Sequence, residues 1–268
     1  MDELVWMQDA SSLGLPKEVW NWWPIHSFDD EMDEKWLTVP KGQLTFDSEG
    51  TDVESSFMFT RKPHVPNNSG NVIEDSGITI GRGFDIGNKP ASEVEQYFNA
   101  AAVSCKPISP KLLDWLKKGA GKTKQAAYDY WLTLDAKVPK EEQEITRKMQ
   151  HYLFLESYAF YENDAKRLTT KLDVRNAYID GAELNWDELS EKVREVITDL
   201  RYVGHYTGSG DKRGNTRKKI VPAIYKDLKE SLSGDSSNLY EIMTNKVMWL
   251  TKFNVDENRF DARGINLK

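Results

Sequence analysis

From residue 91 onward, apolar positions recur at helical spacing and the segment ends carry capping chemistry. Ser92 with Glu95 predicts a capping box that opens a helix running through Ala102. Ser109-Pro110 reads as an N-cap followed by proline at the first helical position, with Gly119 just past that helix. Thr123 starts a further helix in which Ala127, Tyr130, Trp131 and Leu134 keep helical spacing, and Pro139 breaks it. A long helix follows from about residue 140 to 172, with Ile145, Met149, Tyr152, Leu153, Leu155, Tyr158 and Ala159 as its inward stripe. Asn185 with Glu188 predicts a cap for a helix facing inward through Leu189, Val193, Val196, Ile197 and Leu200. Segments 220–232 and 239–253 complete the helical set.

The chain before residue 91 is patterned differently. Segments 56–61 and 77–81 read as short strands, separated by a turn-rich loop with Pro63, Pro66, Asn67, Asn68 and Gly70. The first forty residues sustain neither period and hold five of the nine tryptophans (Trp6, Trp20, Trp22, Trp23, Trp36). We expect an extended arm whose tryptophans pack on the body of the protein, a sugar-stacking platform being the alternative. The expected fold is α+β and mostly α: an arm over 1–40, a small β-ribbon lobe over 41–90 and a larger helical lobe over 91–268.

The 268 residues carry 36 Lys+Arg and 43 Asp+Glu, a net charge of −7, which argues against a protein held on nucleic acid by bulk charge. No apolar run is long enough to span a membrane, and the single cysteine, Cys105, makes neither an internal disulfide nor a multi-Cys zinc site. The opening Met-Asp-Glu lacks the basic start and apolar run of a signal peptide. Delivery is therefore expected by another route, or as part of a longer protein.

Gly119-Ala120-Gly121-Lys122-Thr123 has the tail of a phosphate loop, but Leu116 stands where its first glycine belongs, so an interhelical turn is expected. His26, His64, His151 and His205 are scattered without metal-ligand spacing. Lys212, Arg213, Arg217, Lys218 and Lys219 form a local positive excess, read either as a solvated face or as a contact for an anionic polymer. The densest chemistry lies in Phe46-Asp47-Ser48-Glu49-Gly50 and in the stretch from Asp75 to Gly87. There Glu49, Thr79 and Asp85 are expected at a cleft whose glycines leave room for a bulky ligand. Two carboxylates and a hydroxyl meet the needs of glycoside hydrolysis.

These runs, together with Phe59-Thr60-Arg61…His64 and Thr79-Ile80-Gly81-Arg82-Gly83-Phe84-Asp85, resemble the pesticin-like muramidase domains of the phage-type lysozyme superfamily. Such domains also end type VI secretion effectors, and Val19-Trp20-Asn21-Trp22-Trp23-Pro24 looks like the arm that precedes them. The motif match covers about residues 44–87; beyond it only the helix order and an Arg259-x-x-x-Arg263 pattern correspond. The resemblance implies a lysozyme-like two-lobe fold and hydrolysis of the β-1,4 bond between N-acetylmuramic acid and N-acetylglucosamine, with no metal or organic cofactor. Glu49 matches the general acid, Thr79 the threonine that holds the attacking water, and Asp85 the second carboxylate. Asp75 is the reserve, because in phage lysozymes the aspartate precedes the Thr-Ile-Gly. Glu49 is expected to keep its proton through partial desolvation. Inversion is favoured, and Arg61, His64, Arg82, Arg217 and Lys218 are the expected substrate-binding residues. Partners implied are peptidoglycan glycan strands, an immunity protein and secretion-apparatus components. The place of action implied is the periplasm of a target cell. A non-catalytic peptidoglycan-binding module and a lytic transglycosylase are the alternatives.

Overall fold

Side-chain caps fix the start of five of the eleven described α-helices. A computed structural model describes residues 30–268. In chain order these form α1 (Gln43–Ser48), β1 (Asn67–Asn68), β2 (Asn71–Val72), β3 (Thr79–Ile80), β4 (Phe84–Asp85), α2 (Ala91–Ala101), α3 (Pro110–Gly119), α4 (Lys124–Trp131), α5 (Leu134–Lys137), α6 (Arg147–Thr170), α7 (Leu172–Tyr178), α8 (Glu191–Tyr202), α9 (Arg217–Glu230), α10 (Asn238–Met243), a π-helical turn (Val247–Lys252) and α11 (Glu257–Leu267). The protein is α+β and mostly helical, with two two-stranded antiparallel ribbons, β1–β2 and β3–β4. No described helix is long and apolar enough to cross a membrane.

Ser109 caps α3 as expected, with Pro110 in the first turn. Other boundaries differ for local reasons. Ser92 lies inside α2, whose N-cap is Pro90. The long helix starts only at Arg147, where the Thr146 hydroxyl accepts the Met149 amide at 3.0 Å, and it ends at Thr170 because Lys171 is extended. Ala159 is exposed, and Phe154 faces the core instead. Asn185 caps only a 3-10 turn, Trp186–Glu188, while Ser190 caps α8. The segment 239–253 divides into α10 and the π turn.

Three helices, α1, α7 and α11, stand where none was expected. α1 has no side-chain cap, since its N-cap, Gly42, has no side chain; partners far along the chain hold it. Its Leu44 amide donates to Glu195, and its Thr45 hydroxyl donates to Asp199 at 3.0 Å. α11 is capped by Asp256. The expected strand over 56–61 shrinks to one bridge, Thr51 with Phe59, and that over 77–81 to Thr79–Ile80.

The apolar core divides across α6 rather than at residue 90. One cluster joins Ile78, Ile80, Phe84 and Ile86 of the β3–β4 region to Val94, Phe98, Leu112, Leu116, Met149 and Leu153. The other gathers Leu44, Val196, Ile197, Leu200, Ile220, Ile224 and Trp249. Helices α2–α5 thus belong with the ribbons, not with the later helices. Phe46, Phe154 and Tyr158 form a small third cluster.

Trp6, Trp20, Trp22 and Trp23 lie outside the described residues. Trp36 packs on α6, its ring 5.2 Å from His151 and 5.7 Å from Tyr152. Residues 30–37 form two 3-10 turns, Asp30–Met32 and Glu34–Leu37, in place of an extended arm.

Candidate active site

Glu49 is the C-cap residue of α1. The last carbonyls of a helix lack intrahelical donors, and here a buried arginine supplies one. Arg82 Nη1 donates to Phe46 O at 3.2 Å and also to Gly50 O, clasping the chain on both sides of Glu49. Its guanidinium lies 4.4 Å from the Phe46 ring centroid. Burial draws the Arg82 guanidinium below its ordinary range, against the pull of Asp47, Asp52 and Glu49.

Arg82 comes from the turn of the β3–β4 hairpin, where Thr79 pairs with Asp85 and Ile80 with Phe84. The turn needs positive φ at Gly81 and Gly83. At Gly83 space is limiting too: a Cβ would overlap Glu49 Oε2 and approach Tyr202 Cε1 to 2.9 Å. The Glu49 carboxylate therefore rests on the hairpin backbone.

The other Glu49 oxygen, Oε1, accepts Arg259 Nη1 at 2.9 Å. Arg259 Nε also donates to Asp199 at 3.1 Å, and Arg263 Nε donates to Asp199 Oδ2 at 2.7 Å. Asp199 is wholly buried on α8, where burial alone would raise its carboxyl; Arg263 and Arg259 overcome this and hold it below the usual range. Burial opposes the charge on Arg259 as well, yet Asp199 and Glu49 together hold it above its ordinary value. Glu49 is partly buried, as expected, but its neighbour is a guanidinium rather than an apolar wall.

Tyr161 of α6 completes this surface. Its ring lies 4.5 Å from that of Tyr202, whose hydroxyl donates to Arg82 O at 2.7 Å. Burial raises the Tyr161 phenol; Arg201 opposes this, and the negative charges of Asp85 and Glu49 add to it.

The structure brings Thr79 and Asp85 onto one hairpin that turns against Glu49, whereas Asp75 is exposed and pairs with Lys124 at 2.9 Å. Both Asp85 oxygens are engaged: Oδ2 accepts the Gly77 amide at 3.0 Å and Oδ1 the Gly87 amide at 2.6 Å. Gly77 and Gly87 are glycines because their backbones press on each other and on Asp85, not to leave a face open for ligand.

Two of the expected substrate-binding arginines serve the fold instead. Arg61 is 4 % exposed and meets Asp52 at 2.8 Å, with Glu54 and Glu144 each at 3.2 Å, so its donors face protein carboxylates. Arg82 is buried and clasps α1. His64 is half-buried, exchanges backbone hydrogen bonds with Thr79 and is held below its usual range by burial, against its Lys62 contact and Asp85. Arg217 Nε donates to Thr207 O at 3.2 Å, while Lys218 and Lys219 are exposed. A cavity of about 510 Å³ lined by Leu189, Val193, Ile224, Leu228 and Leu267 contains none of these residues.

Asp199, Tyr202 and Tyr161 were not foreseen. Only the Arg259-x-x-x-Arg263 spacing hinted at the ionic cluster, since it places two guanidiniums on one helical face. No curated protein matches the chain. A family profile described as "Domain of unknown function (DUF8812)" matches residues 42–264, from the start of α1 into α11, and the chain therefore belongs to the DUF8812 family.

Proposed function

We propose that the protein is an antibacterial peptidoglycan hydrolase, a muramidase cleaving the β-1,4 bond between N-acetylmuramic acid and N-acetylglucosamine. The observation that carries this reading is the seating of Glu49 on the turn of the hairpin that bears Thr79 and Asp85. In this scheme Glu49 is the general acid: a proton on the oxygen not bonded to Arg259 passes to the glycosidic oxygen as the bond breaks, and the carboxylate that remains is the form Arg259 pairs with. Thr79 steadies the attacking water and Asp85 supplies the second carboxylate, with inversion at the anomeric carbon. No metal or organic cofactor takes part in this scheme. Delivery within a larger secreted effector, action in a rival's periplasm and neutralisation by an immunity protein belong to the same proposal. The exposed Lys218 and Lys219 are suited to an anionic wall polymer.

The engagement of both Asp85 oxygens by backbone amides favours one second reading. In a lytic transglycosylase a lone acid suffices, and the sugar closes on itself as an anhydro ring instead of taking up water.

Mass spectrometry of muropeptides from purified peptidoglycan tests both. Hydrolysis gives fragments one water heavier than the anhydro products. Absence of released fragments from the wild-type protein overturns both.

A further inference from the structure

Beside Glu49, three aromatic rings lie in file, Tyr202 of α8 and then Tyr161 and Phe160 of α6. Tyr202 lies against Gly83, where Glu49 rests; Tyr161 is 4.5 Å from Tyr202, and Phe160 is 5.3 Å from Tyr161. Lys89, in the loop after β4, closes the row. Its Nζ lies 5.9 Å from the Phe160 centroid, 5.5 Å from Phe84 and 5.0 Å from Tyr97, and it pairs with Glu93 at 2.7 Å. The row is thereby tied to the strand that carries Asp85. Phe160 is nevertheless 52 % exposed. A lone exposed apolar residue is ordinary, but this one ends a continuous file of rings that begins at a carboxylate.

We propose that Phe160 and Tyr161 form a sugar-binding step adjoining Glu49, on which the pyranose face of an amino sugar of the glycan stacks. The proposal rests on the glycan reading above. Pyranose rings present weakly positive C–H groups that suit the negative face of an aromatic ring. Their hydroxyls donate to carboxylates: Glu93 stands at the rim through its pair with Lys89, and Glu156 is exposed on α6 one turn before Phe160. The same carboxylates disfavour a phosphate-bearing ligand at this place.

The test uses the full chain and purified peptidoglycan, with Phe160→Ala, Phe160→Trp and Glu49→Gln. Thermal midpoints check that each variant folds. Phe160→Ala is expected to raise KM about tenfold, with kcat within about twofold, while Phe160→Trp restores KM. Co-sedimentation with peptidoglycan should show the same loss in Phe160→Ala and undiminished binding in Glu49→Gln. If the wild type cleaves and Phe160→Ala keeps its KM, the sugar step is wrong and the hydrolase reading stands. Should the wild type bind without cleaving, the hydrolase reading falls; weaker binding by Phe160→Ala then supports the step, and equal binding overturns it. A wild type that neither binds nor cleaves overturns both.

Discussion

Arg259 reaches Glu49 across 210 positions of chain, donating to Oε1 at 2.9 Å while its other edge grips the fully buried Asp199. Asp199 is thus the counter-charge for two guanidiniums, those of Arg259 and Arg263. Removing one partner of a buried pair typically costs about 3–5 kcal/mol. Asp199→Asn should lose stability on that scale in denaturant unfolding and lose wall-degrading activity with it. Because its folded pKa is depressed, Asp199 stabilises above the ordinary aspartate value, and that contribution fades as pH falls through the folded value. Acid titration of stability should show this fall in the wild type and not in Asp199→Asn.

Glu49→Gln keeps an oxygen for Arg259 but has no proton of the required acidity to give. Muropeptide release should drop by about 10²–10⁴-fold with the fold intact. Near wild-type rates would remove Glu49 from the reaction.

Gly83→Ala carries two penalties, a φ of 77° and a Cβ where the Glu49 carboxylate rests. We expect a loss of about 1–3 kcal/mol and of most activity. A crystal structure of the variant should show Glu49 displaced from Arg259.

The two aspartates should separate cleanly. Asp85→Asn puts an amide nitrogen opposite the Gly77 or Gly87 amide, leaving a backbone donor unmatched at a cost of about 1–3 kcal/mol. Its loss of turnover should therefore come with a lower unfolding midpoint. Asp75→Asn breaks only an exposed pair with Lys124 and should stay within about 0.5 kcal/mol of wild type, with activity retained. An inactive Asp75→Asn would reverse the assignment.

His205 is pushed down to about 4, first by burial and then by Arg263, Arg213 and Arg259, with Asp199 opposing. An unfolded histidine titrates near 6.5. Between those values the unfolded chain holds a proton that the folded chain refuses, so stability falls as pH drops from about 6.5 to 4. Thermal midpoints of His205→Gln should decline less across that window than those of the wild type.

The periodic helices and the strand at Thr79–Ile80 were legible because apolar spacing and glycine chemistry are local signals, whereas the return strand Phe84–Asp85 was hidden among the glycines. The ionic cluster was not. Asp199 follows Val196 and Ile197 on α8 and has the look of a solvated acid, and Arg263 interrupts the apolar pattern of α11 in the same way. Each is buried because the other is there, a condition that no window of one segment contains. α1 escaped notice for a related reason: six residues without a side-chain cap have little helical preference of their own, and Asp199, Glu195 and Arg82 supply it from outside. Arg82, amid glycines, read as an open-loop cation, whereas the Phe46 ring and two carbonyls enclose it.

The long reach from Glu49 to Arg259 also sets a timetable. A ribosome delivers α1 and the β3–β4 hairpin well before α11, and contacts between distant segments wait for the later one to emerge. Until α11 emerges, Glu49 lacks the Arg259 guanidinium and Asp199 lacks both of its counter-charges. The acid is fastened in place only when α11 docks, so a chain stalled or cut before residue 259 carries the hairpin motif without the assembled centre.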